Sequence, residues 1–540
     1  MKELLSHKYP LLLVLVSLVL LLPHLDVIYV NIMEARNFIT AREMVVNDNW
    51  LLTTINSLPR YEKPPLPTWL TALAGVLFGF DNLYGLRLPV VLITAFLVLM
   101  AYQFSKKLGL SEKQSFHNGL LLITSFYIFF GGRDNQWDMY THSFMMASLY
   151  FLWKLLQEDT AKAKNALLSG LFFGLSFLSK GPISLYALFL PFLIAYGFTY
   201  GFKLKSRWHY GILVVVLGIV LGLSWPLYVR FADPQSFIET TTREATRWAS
   251  YNTRPFFYYW SFFTQSGIWA IPSLIALLYP YMKTRVTNLK AYRFTLFWTL
   301  ASVVLLSLIP EKKSRYLLPV LIPMALNTGF YVEYLFEKFK TLAKNEKWLA
   351  YFAFGLLGII ALAIPFILPF VLKNLNGFWL WYVLVAIASL ICGIIIIRSL
   401  LKNNFGRAFY SIIAFEICIV TFGLPLIGAF LENPDYYSPK ELHVVKAKEN
   451  IEIYDLQNYC PEMIWEYGES IPLVADNGKI RIPKENRFGL LVNIDEKTKL
   501  MEVFGGYKIE KLLTVDMNPV PKSKKSYKKR LQRDFYIVSR

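Results

Sequence analysis

Runs of about 20 mostly apolar residues, long enough to cross a bilayer core of about 30 Å, recur along residues 10–431 and then stop. They fall near 10–30, 84–104, 115–131, 138–156, 165–179, 182–200, 209–229, 257–280, 292–309, 315–336, 348–372, 376–398 and 408–431. This pattern predicts roughly thirteen membrane helices. Between the first two runs, stretches 34–48 and 64–78 place apolar residues at helical spacing with charges on the other side. Such stretches are expected to lie in the membrane plane and to form the floor of a surface site. Beyond residue 432 the pattern shortens to N-I-E-I-Y-D-L, I-P-L-V, K-I-R-I, F-G-L-L-V-N-I and Y-K-I-E-K-L-L-T-V. These read as strands bounded by turns, with Asn477-Gly478 as a hairpin signal. The expected architecture is an α-helical polytopic membrane domain, 1–432, followed by a small α/β or α+β extracytoplasmic domain, 433–540.

Composition agrees, since 55% of the 540 residues are hydrophobic, more than a soluble core of this length could bury. The net charge of +19 is spread mostly as an orientation signal rather than a nucleic-acid surface. With a cytoplasmic N-terminus, Lys and Arg collect in the inward loops at 106–113, 154–164, 203–207, 283–293, 338–347 and 398–407. An odd number of spans then places the C-terminal domain outside. Three outward stretches break the rule by carrying basic residues: 34–63, 230–254 and 311–315. The segment before the first run, M-K-E-L-L-S-H-K, is like a signal n-region, but Asp26 to Asn37 offers no A-x-A site, so a retained helix is expected. Cys392, Cys418 and Cys460 suggest neither a disulfide nor a metal site, and no inverted repeat of the transporter kind is visible.

Ionisable groups pressed against a bilayer are costly and mark functional sites by default. Glu34 and Arg36 stand at the exit of the first run, where a carboxylate suits a general base or an interfacial salt bridge to Arg36 or Arg42. Arg60, Tyr61, Glu62 and Lys63 precede the rigid pair Pro64-Pro65. Lys and Arg here suit phosphate recognition or snorkelling toward headgroups. In G-G-R-D-N-Q-W-D-M-Y-T-H, Asp138 begins a helix and reads as catalytic or as a cap, whereas Asp134 reads as solvated. Lys180 follows an apolar run at the outer surface, beside Gly181-Pro182. Arg243, Arg247 and Arg254 are mixed with aromatics, a composition fitting a sugar phosphate or an aromatic belt. Lys312, Lys313, Arg315 and Tyr316 lie where orientation cannot explain them. The basic run Pro521 to Arg533 reads as a solvated or headgroup-facing segment. No Gly-rich phosphate loop, zinc spacing or Ser-His-Asp order has a supporting context.

At these residues the chain resembles the glycosyltransferase-C (GT-C) superfamily, in the branch of lipid A aminoarabinose transferases and protein O-mannosyltransferase relatives. The likeness rests on Met33-Glu34-Ala35-Arg36, Ala41-Arg42-Glu43-Met44, Trp50, Tyr61-Glu62-Lys63-Pro64-Pro65 and Leu77-Phe78-Gly79. Asp138-Met139, Lys180-Gly181 and the segment Lys313 to Pro319 follow it. Met33 stands where the family has the first member of its acidic pair. The resemblance implies transfer, with inversion, of a sugar from a polyprenyl-phosphate carrier to a lipid A, glycan or protein acceptor on the outer face of the cytoplasmic membrane. Glu34 would act as base with Asp138 in support. Arg60, Lys63, Lys180, Arg247, Arg254, Lys313 and Arg315 would hold the carrier phosphate, with Arg36, Tyr61, Glu62 and Tyr316 around them. It leaves room for a divalent metal and fixes no cofactor; partners are the carrier lipid, the acceptor and membrane lipids. A carrier-lipid binder without catalysis, or a lipid transporter or flippase, is the alternative.

Overall fold

The computed structural model describes residues 8–202, 207–372, 375–431, 433–476 and 478–540, so Lys203, Lys205 and Asn477 lie outside the described residues. The protein is a multi-pass helical membrane protein with a small C-terminal sheet domain. Among the described residues, six helices are long and apolar enough to cross a membrane: Leu83–Lys107, Trp208–Ala232, Leu289–Leu308, Lys344–Val371, Trp379–Leu401 and Phe405–Phe430. Of the other apolar runs, 138–156 and 165–179 form the single helices Trp137–Gln157 and Lys162–Lys180, and the rest form short or interrupted helices. The run at 115–131 splits into Glu112–Ile123 and Phe126–Gly131. At the break, Thr124 and Ser125 turn their hydroxyls onto the carbonyls of Leu120 and Leu121, 2.6 Å each, a bond that competes with helix continuation. The run at 257–280 is mostly 3-10 turns, broken at Gly267, whose φ of +66° suits a residue without a Cβ.

The elements that matter for the site are α1 (Lys8–Leu21), α2 (Ile32–Val46), α3 (Leu66–Phe78), α4 (Leu83–Lys107), α5 (Glu112–Ile123), α6 (Phe126–Gly131), α7 (Trp137–Gln157), α8 (Lys162–Lys180), α9 (Leu190–Tyr200), α10 (Trp208–Ala232) and α11 (Pro234–Ser250). Helix α2 starts where Asn31 accepts from the amides of Met33 (3.0 Å) and Glu34 (3.3 Å), an N-cap satisfying donors that would otherwise be orphaned. Helix α3 starts after Pro64-Pro65, with Pro67 at a position needing no amide. Both fall where the amphipathic stretches were expected.

Their setting differs from that expectation. Helix α2 is no exposed floor: Glu34, Ala35, Asn37, Phe38, Ile39, Thr40, Ala41, Glu43 and Met44 are all buried. The C-terminal domain covers it, with Ile39 sharing a core with Ile453, Ile464, Leu491 and Phe535, and Phe38 packing against Trp465. A second tie is a hairpin, β1 (Thr54–Ile55) with β2 (Leu58–Pro59). Its turn residue Asn56 donates to the carbonyl of Ile471 (2.7 Å) and accepts from the same residue's amide (2.8 Å).

The C-terminal sheet has the order β3-β6-β8-β7: β3 (Ile453–Asp455), β6 (Arg487–Val492), β8 (Gln532–Ser539) and β7 (Lys508–Asp516). Strand β3 runs parallel to β6 and the other pairs are antiparallel. A small antiparallel pair, β4 (Ala475–Asp476) with β5 (Lys479–Ile480), forms near the expected hairpin, and Gly478 has φ +79°. Strand β8 escaped the strand reading because it follows the basic run and lacks alternation. Its D-F-Y-I-V core is buried on both faces, where a continuous apolar run is the rule. The end of that basic run is likewise not solvated: Leu531 and Arg533 are buried, and Arg530 binds Glu462.

Among the outer helices, α8 and α10 approach closely through Gly170, Gly174, Gly218 and Gly222, small residues spaced by four. A Cβ on Gly218 would lie 1.7 Å from the Phe173 ring. Gly218→Leu should therefore separate these helices and lower the thermal unfolding midpoint in detergent, whereas Gly211→Leu, in open space on the same helix, should not.

Candidate active site

The three basic stretches that violate the orientation rule converge at one end of the helices. Arg254 N donates to Pro310 O (3.1 Å), Lys312 N donates to Asn252 O (3.2 Å), and Lys63 lies 3.9 Å from Glu244 of α11. The result is a polar seam under the C-terminal domain.

Its anchor is an ion pair sealed from solvent. Glu34 accepts from Arg87 Nε (2.7 Å) and Nη2 (2.6 Å) and from the Asn135 amide (3.0 Å). Arg87 also donates to Leu25 O. Neither side chain is more than 1% exposed. The expected partners Arg36 and Arg42 are elsewhere: Arg42 donates to the carbonyls of Ile464 and Trp465, and Arg36 lies over Met33 Sδ at 4.0 Å. Glu34 thus holds α2, α4 and the loop before α7 together. Both of its oxygens are committed to the Arg87 guanidinium and the Asn135 amide, whereas the expected role has the carboxylate facing an acceptor.

Next along the seam is Asp134, which is not the solvated loop carboxylate its sequence setting suggested. It accepts from Asn31 Nδ2 (3.0 Å) and from Gln136 Nε2. Burial and the nearby Glu34 carboxylate push its pKa up to about 7. Gln136 in turn accepts from Arg315 Nη1 at 3.3 Å. Asp138, in the first turn of α7, forms an ion pair with Lys180 at the end of α8. Lys180 also lies over the Tyr316 ring, 5.7 Å from its centre.

Lys63 and Lys180 share a small cleft with Tyr186, Tyr259, Glu311 and Tyr316. Burial, with the like charge of Lys180, lowers the Lys63 pKa to about 8. Lys313 binds Glu311 (2.5 Å) at the rim and reaches the Tyr316 hydroxyl (3.4 Å). Glu62 is shared by Arg60 (3.5 Å) and Arg243 (2.9 Å). Arg60 is buried and stacks over Trp137 at 5.0 Å. Tyr61 leaves the cleft and donates to Asp233 at 2.9 Å, fixing the corner between α10 and α11. A larger cavity of about 640 Å³ opens between loop 26–31 and the C-terminal domain, lined by Asn31, Tyr29, Tyr436, Trp465 and Glu466 among others.

The fold has counterparts of known structure. ArnT from Cupriavidus metallidurans, in its crystal structure bound to undecaprenyl phosphate, matches with a TM-score of 0.68 at 17% identity, covering 98% of both chains. The chain shares the GT-C fold of that protein. The archaeal oligosaccharyltransferase AglB from Archaeoglobus fulgidus shares the GT-C fold more distantly, with a TM-score of 0.51 at 10% identity over 92% of this chain and 70% of that one. Residues 62–225 match the family model described as dolichyl-phosphate-mannose-protein mannosyltransferase. The undecaprenyl phosphate-alpha-4-amino-4-deoxy-L-arabinose arabinosyl transferase of Pseudomonas savastanoi pv. phaseolicola is 27% identical over 307 residues, 54% of this chain and 55% of that protein. The chain spans about half the length of the curated relatives it matches.

Within this GT-C fold, Arg60, Glu62, Lys63, Asp138, Lys180, Lys313, Arg315 and Tyr316 gather along the seam. Arg247 is exposed on α11 and reaches it only through Glu244 (3.1 Å). Arg254 is exposed, and its side chain lies 6.0 Å from the Tyr258 ring rather than in the cleft. Lys312 is structural, its ammonium capping the carbonyls of Arg254 and Ile309. Among the described residues, no three His, Cys, Asp or Glu gather as a metal-ligand set. Sequence reasoning missed Arg87, Gln136, Glu244 and Glu311. Only Arg87 had left a signal, a lone arginine within an apolar run.

Arg87→Met should strand the buried Glu34 carboxylate and destabilise the fold by about 3–5 kcal/mol. Adding Glu34→Gln should recover part of that loss in thermal unfolding of the double variant.

Proposed function

We propose that this chain is an integral-membrane glycosyltransferase. It moves a hexosyl or pentosyl group from a polyprenyl-phosphate carrier to a lipid A, glycan or protein acceptor at the outer face of the cytoplasmic membrane. The N-terminus is cytoplasmic, and residues 1–432 and 433–540 form the membrane and extracytoplasmic domains. The observation that carries the reading is the cleft where Lys63 and Lys180 face one another beneath Tyr186, Tyr259 and Tyr316. Lys180 is neutralised by Asp138, and Lys63, held by Glu244 only at 3.9 Å, is the ammonium with room for an incoming anion. Arg315 adds charge behind them, within electrostatic reach of Lys180. The sugar-binding relatives and the undecaprenyl phosphate in the ArnT structure support a carrier lipid as that anion.

In the reaction the acceptor oxygen attacks the anomeric carbon and the carbon–oxygen bond to phosphate breaks. The electron pair departs on the polyprenyl phosphate. Lys63 and Lys180 stabilise that charge as it develops, where preorganised cations act most strongly. Glu244 occupies Lys63 from the exposed helix α11, so the arriving phosphate exchanges one anionic partner of Lys63 for another. A transporter would set such charges at mid-membrane depth in broken helices; here they sit at one end, beneath the sheet domain.

The test uses the full chain in detergent with radiolabelled undecaprenyl-phosphate 4-amino-4-deoxyarabinose or polyprenyl-phosphate mannose, and membrane extracts as acceptor. Transfer by the wild type supports the reading, and carrier binding without transfer from either donor favours a binder. Lys63→Ala should raise the donor KM by about 10- to 100-fold, the loss of one charge-assisted bond worth roughly 1.5–3 kcal/mol. The cation is present below its pKa and lost above it. The wild-type donor KM should therefore climb as pH rises through about 8, and the Lys63→Ala KM should lack that inflection.

A further inference from the structure

The seam contains many carboxylates, and their partners separate them. Glu34 is saturated by Arg87 and the Asn135 amide. Asp138 is paired with Lys180, Glu62 with Arg60 and Arg243, Glu311 with Lys313, and Glu244 with Lys63 and Arg247. Glu43 is buried and occupied by Thr54, the Ser57 amide and Ser470. Asp134 alone in this group is held by two neutral side-chain amides, those of Asn31 and Gln136, and remains partly exposed.

Its place matters as much as its partners. Asn31, which grips one oxygen, lines the large cavity under the C-terminal domain. Gln136, which grips the other, receives Arg315 from the side of the Asp138–Lys180 pair. Asp134 is therefore one hydrogen bond, through Asn31, from the space open to an incoming acceptor, and two, through Gln136 and Arg315, from the cations that receive the departing phosphate. We infer that Asp134 is the group that removes the proton from the acceptor in the transfer reaction, an inference resting on the glycosyltransferase reading above. The acceptor's O–H or N–H bond breaks as its heteroatom attacks the anomeric carbon. The proton passes to an Asp134 carboxylate oxygen, and the bonding electron pair of the leaving group stays on the carrier phosphate.

The charged groups facing Asp134 are Glu34 from α2 and Arg87 from α4, with Arg315 reaching it through Gln136. Burial first, and then the Glu34 carboxylate, favour the protonated acid and outweigh Arg87 and the two amide hydrogen bonds, which pull the other way, so that its pKa is pushed up to about 7. A base poised near the working pH is the efficient case in proton transfer.

The test compares wild type, Asp134→Asn and Asp134→Glu, full length and in detergent, with the two donors named above. The readouts are kcat, donor KM and the pH profile. In the wild type, kcat should rise with pH and level off above about 7. Asp134→Asn should lose about 10²- to 10⁴-fold in kcat, keep the donor KM, and show no inflection. Asp134→Glu should retain activity with a displaced inflection, so that it carries the test should the Asn variant fail to fold. Wild-type turnover with an unchanged rate and profile in Asp134→Asn, or an unmoved inflection in Asp134→Glu, overturns this inference and leaves the glycosyltransferase reading standing. No wild-type turnover overturns both.

Discussion

The ion pair between Glu34 and Arg87 is the constraint on which the active end depends. Each partner alone would be very expensive to bury. Together they close a ring of bonds that includes Leu25 and Asn135 and so fix the loop after α1, the first turn of α2 and the loop before α7. Asn135 extends the ring through its side chain, donating to Thr71 of α3 at 2.9 Å and to Leu86 O. Five segments far apart in sequence are thereby set against one another by a single charge pair and its satellites. The positions of Asp134 and Asp138, on either side of Gln136, follow from that arrangement.

The pair also explains a division among the acids of the seam. Those committed to cations hold their partners in place and keep like charges from repelling the helices apart. Asp134 is set apart from them because the arginines and lysines leave it to two neutral side-chain amides.

Much of the architecture was legible in the sequence, for physical reasons. Long apolar runs, Asn31 as a cap, Pro64-Pro65 as a break and the three misplaced basic stretches are all local signals, and local signals survive in a linear reading. Pairings are not local. Glu34 lies 53 positions from Arg87, and nearer arginines looked the better partners. Asp134 sits in a short polar loop, where solvation is the usual fate; its burial arises from packing against Asn31 and Gln136. Strand β8 was hidden because central strands lack the alternation that marks half-exposed ones. The division of run 115–131 at Thr124 and Ser125 was hidden for another reason: the same hydroxyl-to-carbonyl bond at Ser17, Thr94 and Ser105 leaves α1 and α4 unbroken, so the residue type alone does not mark a break.

The burial of α2 beneath the C-terminal sheet carries a consequence for how this molecule comes into being. Helix α2 leaves the ribosome long before β8, whose Phe535 and Ile537 complete the core around Ile39. Until β8 follows, Ile39 lacks that part of its cover. The fold is consequently assembled twice, first as helices in the membrane and then, when β8 arrives, as helices closed over by a sheet. A chain interrupted before β8 would be complete in nearly every helix and open above α2.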